Sequence, residues 1–172
     1  RKITSCAVVV RQLPRRSRTS RAAADGRSSD HAPQVSDHLL DGGGGRFGCV
    51  FDGVAYGILT NPGANDVSSV RITSNVFTNI YGDAIELNHP LGTNGDGTRA
   101  SASGFVVTGN VISVPEGLGS GSGSGFGIGA AGVTGLSIAD NVILTARNEG
   151  IHVEDDAVGV TITGNIIVSA GE

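Results

Sequence analysis

Carboxylate and imidazole side chains recur at matching places in three short, similar segments of the chain. Glu86 lies in the segment 83–88, and His152 takes the equivalent place in the segment 149–154. The segment between them, 126–131, has Gly129 at that place. Carboxylates and histidine are common general acids and bases in enzymes. If the three segments stack as neighbouring strands, these side chains line one surface on which acid–base chemistry is possible.

The geometry of such a surface suits two carboxyl groups that act together on a sugar. Neighbouring strands lie ~4.8 Å apart, so the backbones of Glu86 and His152, two strands apart, are separated by roughly 10 Å. The glycine between them leaves a shallow trough that is wide enough for a sugar ring. Inverting glycosidases hold their two carboxyls about 6.5–9.5 Å apart. Glu86 with Glu154, or Asp83 with Glu149, could meet that distance after side-chain rotation.

The same segments supply the rest of the candidate site. We predict catalytic roles for Asp83, Glu86, His152 and Glu154, and substrate-binding roles for Asn88, Phe126 and Glu149. Outward residues of a solvated sheet are polar in any case, and Asp83 and Glu149 could be turn residues that bond their own backbone. Phe126 could stack on a sugar or fill a corner of the fold. Two interpretations of these residues therefore remain: ordinary polar surface residues, or a carbohydrate site.

A repeated motif indicates how the segments are brought together. It reads ITSNVF at 72–77, VTGNVI at 107–112, IADNVI at 138–143 and ITGNII at 162–167. Successive asparagines of the motif are 35, 31 and 24 residues apart, and glycine-rich insertions at 91–98 and 118–125 explain the longer spacings. A fixed period of this size is typical of a solenoid, in which each repeat forms one coil.

The repeats carry strand signals and no helical periodicity. Residues 150–154 alternate between apolar and polar, as a strand with one buried face does. The 172 residues include 28 glycines, and each would cost a helix interior up to ~1 kcal/mol. We therefore predict an all-β parallel solenoid of about four to five coils. We expect the repeated asparagines to adopt the left-handed conformation at one corner and to hydrogen-bond the neighbouring coil.

Charge divides the chain into two parts. Residues 1–46 hold nine of the twelve Lys and Arg and four of the sixteen acids, whereas residues 47–172 hold three arginines and twelve acids. We predict a partial coil at 1–10, a basic, low-complexity and disordered insertion at 11–46, and a β-helix domain at 47–172. The basic segment lacks the interleaved aromatic residues of a nucleic-acid-binding arm, so we expect no nucleic-acid partner.

The amino-acid sequence of the repeats resembles that of a known superfamily. The pattern I-T-G-N-x-I followed by G-I-x-V is similar to the right-handed parallel β-helix repeats of the pectate-lyase-like superfamily. The segments IYGDAIELN at 80–88, GFGIGAAG at 125–132 and IHVE at 151–154 resemble β-helix proteins of exopolysaccharide (colanic acid) biosynthesis clusters and, more loosely, phage tailspikes. The resemblance covers residues 47–172. It implies a right-handed β-helix, a polysaccharide partner, and a secreted or cell-envelope location.

Two classes of function follow. The first is a polysaccharide-acting enzyme that hydrolyses or modifies a glycan without a cofactor or a metal. A hydrolase is favoured over a lyase, because residues 47–172 contain no Lys and their arginines lie outside the trough positions. The second is a non-catalytic β-helix module that binds polysaccharide or acts as a spacer in a larger envelope or secreted protein. The run 154–156 (EDD) is better explained by a turn than by a catalytic motif.

The cysteines and the chain ends lead to expectations about disulfide bonding and about flanking segments. Cys6 and Cys49 occupy the asparagine position of two weaker motifs. A disulfide between them would need Cα atoms within about 7 Å, and we expect free thiols instead. Without a pair of matching histidines they form no zinc site. Neither chain end carries an end cap, so we expect flanking coils or domains of a longer chain, and the sequence has no transmembrane segment.

Overall fold

A computed structural model describes residues 9–10, 38–41, 48–60, 66–89, 92–94, 96–115 and 124–171. These ranges contain strands and no helix. The strands in chain order are β1 (Val9–Val10), β2 (His38–Asp41), β3 (Val50–Asp52), β4 (Ile58–Thr60), β5 (Val67–Ser68), β6 (Arg71–Thr73), β7 (Val76–Thr78), β8 (Ile85–Asn88), β9 (Ala102–Thr108), β10 (Val111–Ser113), β11 (Ile128–Ala131), β12 (Thr134–Ala139), β13 (Val142–Thr145), β14 (Ile151–Glu154), β15 (Val158–Thr163) and β16 (Ile166–Ile167).

The strands form three sheets that the chain visits in turn. Sheet A has the order β1-β2-β6-β9-β12-β15, with β5 beside β9; sheet B has the order β16-β13-β10-β7-β3, and sheet C has the order β14-β11-β8-β4. From β6 onward the chain passes from sheet A to sheet B to sheet C and then begins again. Within the described ranges every strand pair is parallel except β1 with β2. The prediction of an all-β fold with stacked parallel strands is confirmed.

The register of sheet C matches the alignment that the sequence predicted. Gly129 of β11 pairs with Glu86 of β8 on one side and with His152 of β14 on the other. Asn88, Ala131 and Glu154 form the next outward row of the same three strands. Because side chains alternate between the two faces of a strand, both rows point to the outer face of the sheet.

The core consists of the inward side chains of the three sheets. Ile85 and Leu87 of β8 are fully buried, and so is Ile128 of β11. An aromatic stack between Phe51 and Phe77, with ring centroids 4.8 Å apart, joins two strands of sheet B. Further fully buried side chains come from sheets A and B and from one corner: Ile72, Ile80, Val107, Ile112, Ile138 and Ile143. The apolar interior therefore runs through successive turns of the chain.

A row of buried asparagines links these turns at the corner between sheets A and B. The backbone N–H and the side-chain Nδ2 of Asn75 both donate to Oδ1 of Asn110, at 2.9 and 3.1 Å. Asn110 donates in the same way to Asn141, at 3.0 and 2.9 Å, and Asn141 to Asn165. The first three side chains are fully buried. The prediction that these asparagines hydrogen-bond the neighbouring turn is confirmed.

The left-handed residue of this corner is not the asparagine. Positive φ angles occur one position earlier, at Ser74, Gly109, Asp140 and Gly164, with φ between 56° and 66°. The expectation of a left-handed asparagine was therefore wrong by one residue. Gly and Asp adopt this conformation more readily than most residues. The displaced bend leaves each asparagine free to direct its amide along the row.

Cys49 continues the asparagine row, but it is not a free thiol. Its backbone N–H donates to Oδ1 of Asn75 at 3.0 Å, as the next residue in the row would. Cys49 is buried and disulfide-bonded, so the expectation of free thiols is wrong for this residue. Separation in sequence does not fix the distance between two Cα atoms, which decides whether a disulfide forms. Cys6 lies outside the described residues.

Most of the predicted N-terminal segments also lie outside the described residues. Within the predicted insertion at 11–46, β2 pairs in parallel with β6 and extends sheet A. β1 pairs with β2 in the antiparallel direction. The domain boundaries proposed from sequence stay predictions. No helix able to span a membrane is present in the part of the chain that the structure describes.

We expect substitution of a central asparagine of the row to destabilise the fold strongly. Asn110→Ala removes the oxygen that accepts two hydrogen bonds from Asn75 in a fully buried corner, and loss of a buried hydrogen-bond partner costs about 1–3 kcal/mol. Chemical denaturation should show a loss of at least about 2 kcal/mol. Asn165→Ala, at the more exposed end of the row, is the matched control and should cost less. Equal losses for the two variants would contradict the proposed role of burial.

Candidate functional site

His152 lies between two carboxylates on the outer face of sheet C. Its Nε2 is 3.2 Å from Oε2 of Glu154, and its Nδ1 is 3.8 Å from Oε1 of Glu149. The histidine side chain is 27% exposed, whereas Glu149 and Glu154 are 55% and 53% exposed. When the imidazole is protonated, both contacts are ion pairs. The structure therefore joins three of the predicted site residues in one solvent-accessible cluster.

The local sequence explains this arrangement. Ile151 and Val153 pack against the core, so His152 and Glu154 must point outward from β14. Glu149 stands three residues before His152, at the corner that leads into the strand. The two carboxylates consequently approach opposite nitrogens of the same ring. The alternation of β14 predicted the direction of these side chains, while their contacts depend on the corner.

Phe126 covers the place where the sequence predicted an empty trough. Its ring stacks on the imidazole of His152, with centroids 4.2 Å apart and planes 9° from parallel. A Cβ atom on Gly129 would lie 3.1 Å from Cδ2 of Phe126. The ring thus lies over the glycine that separates Glu86 from His152. The expected gap at Gly129 is occupied by an aromatic side chain, and the exposed surface there is an imidazole–phenyl stack.

Glu86 and Asn88 form a second, smaller group on β8. Nδ2 of Asn88 donates to Oε1 of Glu86 at 2.7 Å, and both residues are half-buried. The hydroxyl of Thr60 on β4 also bonds to the backbone of Asn88. Glu86 therefore shares the outer face with His152, but its carboxylate is held by the amide at the end of its own strand.

Asp83 is buried, and the contacts of its carboxylate are with the protein backbone. It is 3% exposed, and its Oδ1 accepts hydrogen bonds from the backbone N–H groups of Gly125 and Phe126, each at 2.7 Å. These bonds fix the corner that presents Phe126 to His152. Asp83 thus positions part of the outer face, and its catalytic role stays a prediction.

A second concave region lies at the corner between sheets C and A. This corner cleft has a volume of about 380 Å³ and is lined by His89, Arg99, Ala100, Ser101, Ala102, Gly132, Thr134, Asp155 and Asp156. None of these residues was predicted from the sequence as part of a site, although a turn was predicted at Asp155 and Asp156. Both have left-handed φ angles of 53° and 57°, so the turn is confirmed. Because Asp155 and Asp156 directly follow the predicted site residue Glu154, the sequence contained a signal that they lie near the candidate site.

A short hairpin carries Arg99 to the corner cleft. Thr93 and Arg99 form an antiparallel bridge, and Asn94 N–H donates to the carbonyl of Thr98 at 2.7 Å. The hairpin is fastened by Asp66, whose Oδ1 accepts hydrogen bonds from Nδ2 of Asn94 at 3.0 Å and from the N–H of Ser101 at 2.8 Å. This turn therefore brings Arg99, the residue after the predicted insertion at 91–98, to the lining of the corner cleft.

Hydrogen bonds lower the pKa of two aspartates, Asp66 beside the hairpin and Asp52 at the end of β3. The side chain of Asn94, followed by the backbone of Ser101, holds the pKa of Asp66 below its ordinary value. The side chains of Asn79 and Thr78 lower the pKa of Asp52 in the same way. In both cases the donors stabilise the charged form of the carboxylate. Among the described residues, no group of three His, Cys, Asp or Glu side chains could hold a metal ion.

Comparisons with known proteins do not extend this picture. No protein-family model matches the chain, and searches of curated proteins and of solved structures found no match. The resemblance to the pectate-lyase-like superfamily therefore rests on the repeat motifs quoted above.

We expect acid to loosen the hairpin that carries Arg99. The lowered pKa of Asp66 means that its contribution to stability is fully present above the pKa of the unfolded chain, near 3.8, and is lost as the pH falls through the lower folded pKa. Asp66→Asn removes this dependence. Amide hydrogen exchange of Asn94 and Ser101 at pH 7 and at pH 3 should show acid-induced opening in the wild type and a smaller pH effect in the variant. The same pH effect in both proteins would contradict this assignment.

Proposed function

We propose that residues 47–172 form a right-handed parallel β-helix of the pectate-lyase-like type. Three observations support this architecture. The chain visits sheets A, B and C in a repeating order, the strands of each sheet run parallel, and one row of asparagines joins successive turns at the same corner. In this interpretation each passage through the three sheets is one coil, and the hairpin at 92–100 is an insertion at a coil corner.

We further propose that the outer face of sheet C binds a polysaccharide and hydrolyses or modifies it. The supporting observation is the contact of His152 with both Glu149 and Glu154 on an exposed surface, next to the ring of Phe126. Carboxyl groups supply the proton and the base in glycoside hydrolysis. Flat rings at a polar surface provide an apolar patch for the C–H face of a sugar.

The chemistry of a hydrolase can be assigned to the two exposed carboxyls. They contact opposite nitrogens of one imidazole, an arrangement compatible with the separation of about 6.5–9.5 Å in inverting glycosidases. One carboxylic acid gives its proton to the leaving glycosidic oxygen as the C–O bond breaks. The other carboxylate takes a proton from the water whose oxygen bonds to the anomeric carbon. His152 positions both groups, and Glu86 with Asn88 contacts the sugar from β8, two strands away.

A non-catalytic polysaccharide-binding module is the second candidate. Two of the predicted catalytic carboxylates are already engaged: Asp83 by two backbone N–H groups and Glu86 by Asn88. With these groups committed to structure, the stack of Phe126 and His152 would serve as a binding platform. Both candidates place the protein in contact with polysaccharide, and the motif resemblance supports a secreted or cell-envelope location for either.

The double variant Glu149→Gln/Glu154→Gln tests the hydrolase. Because general acid–base groups typically contribute 10²–10⁴-fold to rate, release of reducing ends from the glycan should fall by at least about 100-fold. Retention on the immobilised glycan should change little, since glutamine keeps the size of each side chain and one of its two acceptor oxygens. Release is measured by a reducing-sugar assay after glycans that the wild type retains have been identified.

A matched control keeps the test specific. Asp140 is exposed and has a left-handed φ of 56° at the corner between sheets A and B, so Asp140→Asn removes one charge far from sheet C. It should leave release and retention unchanged. Retention without release by the wild type would favour the binding module, and the absence of both would overturn the proposed function.

A further inference from the structure

The corner cleft begins where the proposed glycan surface ends. Asp155 directly follows Glu154, whose carboxylate contacts His152, and consecutive strand residues are ~3.3 Å apart. Gly132 and His89 occupy the equivalent corners after β11 and β8. A chain of sugars lying across His152 would therefore reach the cleft without leaving the surface of the protein.

Two small residues form the floor of the cleft, and charged residues form its walls. Ala100 and Ala102 are 5% and 2% exposed at the start of β9. Around them the cleft is lined by Arg99 and by the aspartates of the turn at 155–156, all of which are exposed. In the described part of the chain none of these three charged side chains takes part in a salt bridge. They are available to bind a ligand.

A glycine in the middle of the corner leaves room for a histidine side chain from the neighbouring turn. Gly132 has a left-handed φ of 61°, and a Cβ atom there would collide with Nδ1 of His89 and lie 3.1 Å from the carbonyl oxygen of Asp155. His89 accordingly packs over this glycine, with Nδ1 3.3 Å from the carbonyl oxygen of Ala131. At this corner the imidazole of His89 therefore fills the space that a side chain at position 132 would take.

We propose that the corner cleft is a subsite for an uncharged sugar residue of the polysaccharide, adjacent to the one bound at His152. This inference rests on the proposed function and adds the chemical class of the ligand. A sugar hydroxyl both donates and accepts hydrogen bonds. It can accept from the guanidinium of Arg99 and donate to the carboxylates of Asp155 and Asp156. The small apolar floor accommodates the C–H face of the ring, and a volume of about 380 Å³ lies within the range of small-molecule pockets.

The mixture of charges disfavours ligands of either sign. A uronate would gain from Arg99 but would face the carboxylates of Asp155, Asp156 and the adjacent Glu154. An amino sugar would gain from these carboxylates but would approach the guanidinium of Arg99. A neutral polyhydroxylated ring can hydrogen-bond to Arg99 and to the two aspartates without placing like charges together. The arrangement of the walls therefore selects the sugar class.

Binding measurements with single variants test the subsite. The wild type is first screened on an array of neutral, uronate-containing and amino-sugar glycans. The strongest neutral glycan is then used as a short and a long oligosaccharide in calorimetry with Arg99→Gln and Asp156→Asn. Each variant should raise the Kd for the long oligosaccharide by about three- to tenfold, through the loss of a charge-assisted hydrogen bond, and leave the short one unchanged.

The matched controls are Arg71→Gln and Asp140→Asn. Arg71 is exposed on β6, away from the cleft, and Asp140 has nearly the same left-handed φ as Asp156, 56° against 57°. Both controls should bind like the wild type. Far-ultraviolet circular dichroism checks that each variant is folded. In the wild type, the amide signals of Gly132 and Thr134 should shift in nuclear magnetic resonance spectra only when the long oligosaccharide is added.

The possible outcomes separate this inference from the proposed function. Unchanged affinity in both cleft variants, with no shift at Gly132 and Thr134, overturns the subsite and leaves binding at His152 intact. A cleft that responds to uronate or amino-sugar glycans and not to neutral ones overturns the assigned sugar class. If the wild type retains no glycan of any class, the proposed function fails and the subsite fails with it.

Discussion

The row of buried amides at the corner between sheets A and B is the interaction on which the rest of the structure depends. Asn110, Asn141 and Asn165 each accept two hydrogen bonds at one oxygen from the preceding turn, and an unsatisfied amide in this position would be costly. The row therefore fixes the axial position of each turn. A parallel sheet that slipped by one residue would exchange its inner and outer faces, and the amides oppose such a slip.

The register that the asparagine row fixes at that corner determines which side chains contact one another on sheet C. Once the turns are in register, β11 lies between β8 and β14, and its outward residues are unusually small. Gly129 makes room for the ring of Phe126, and Gly132 makes room for His89. The glycines thus move aromatic and imidazole rings onto the outer surface. The candidate site and the corner cleft share this cause, because both depend on missing side chains at the level of β11.

Periodicity made much of the fold predictable. The repeated I-T-x-N motif identified the turns, and alternation within β8 and β14 separated the core residues from Glu86, His152 and Glu154. The prediction failed where a side chain or a backbone angle is set by neighbours distant in sequence. Phe126 was expected at a corner or against a sugar, and its stacking on His152, 26 positions further along the chain, was not predicted. The left-handed bend similarly falls one residue before each asparagine, because the amide must point along the row.

By itself, the sequence determined that the chain is all-β, that like residues of successive turns share one row, and that acids and a histidine share one face. These properties follow from spacing along a strand, which is a local quantity. Only the tertiary structure decided that Glu149 and Glu154 meet on opposite sides of His152, that Asp83 caps the corner before Phe126, and that Arg99 meets the 155–156 turn across a cleft. The first of these depends on the bend of the chain at the corner before β14, and the other two join residues of different turns, whose approach depends on packing that no single repeat contains.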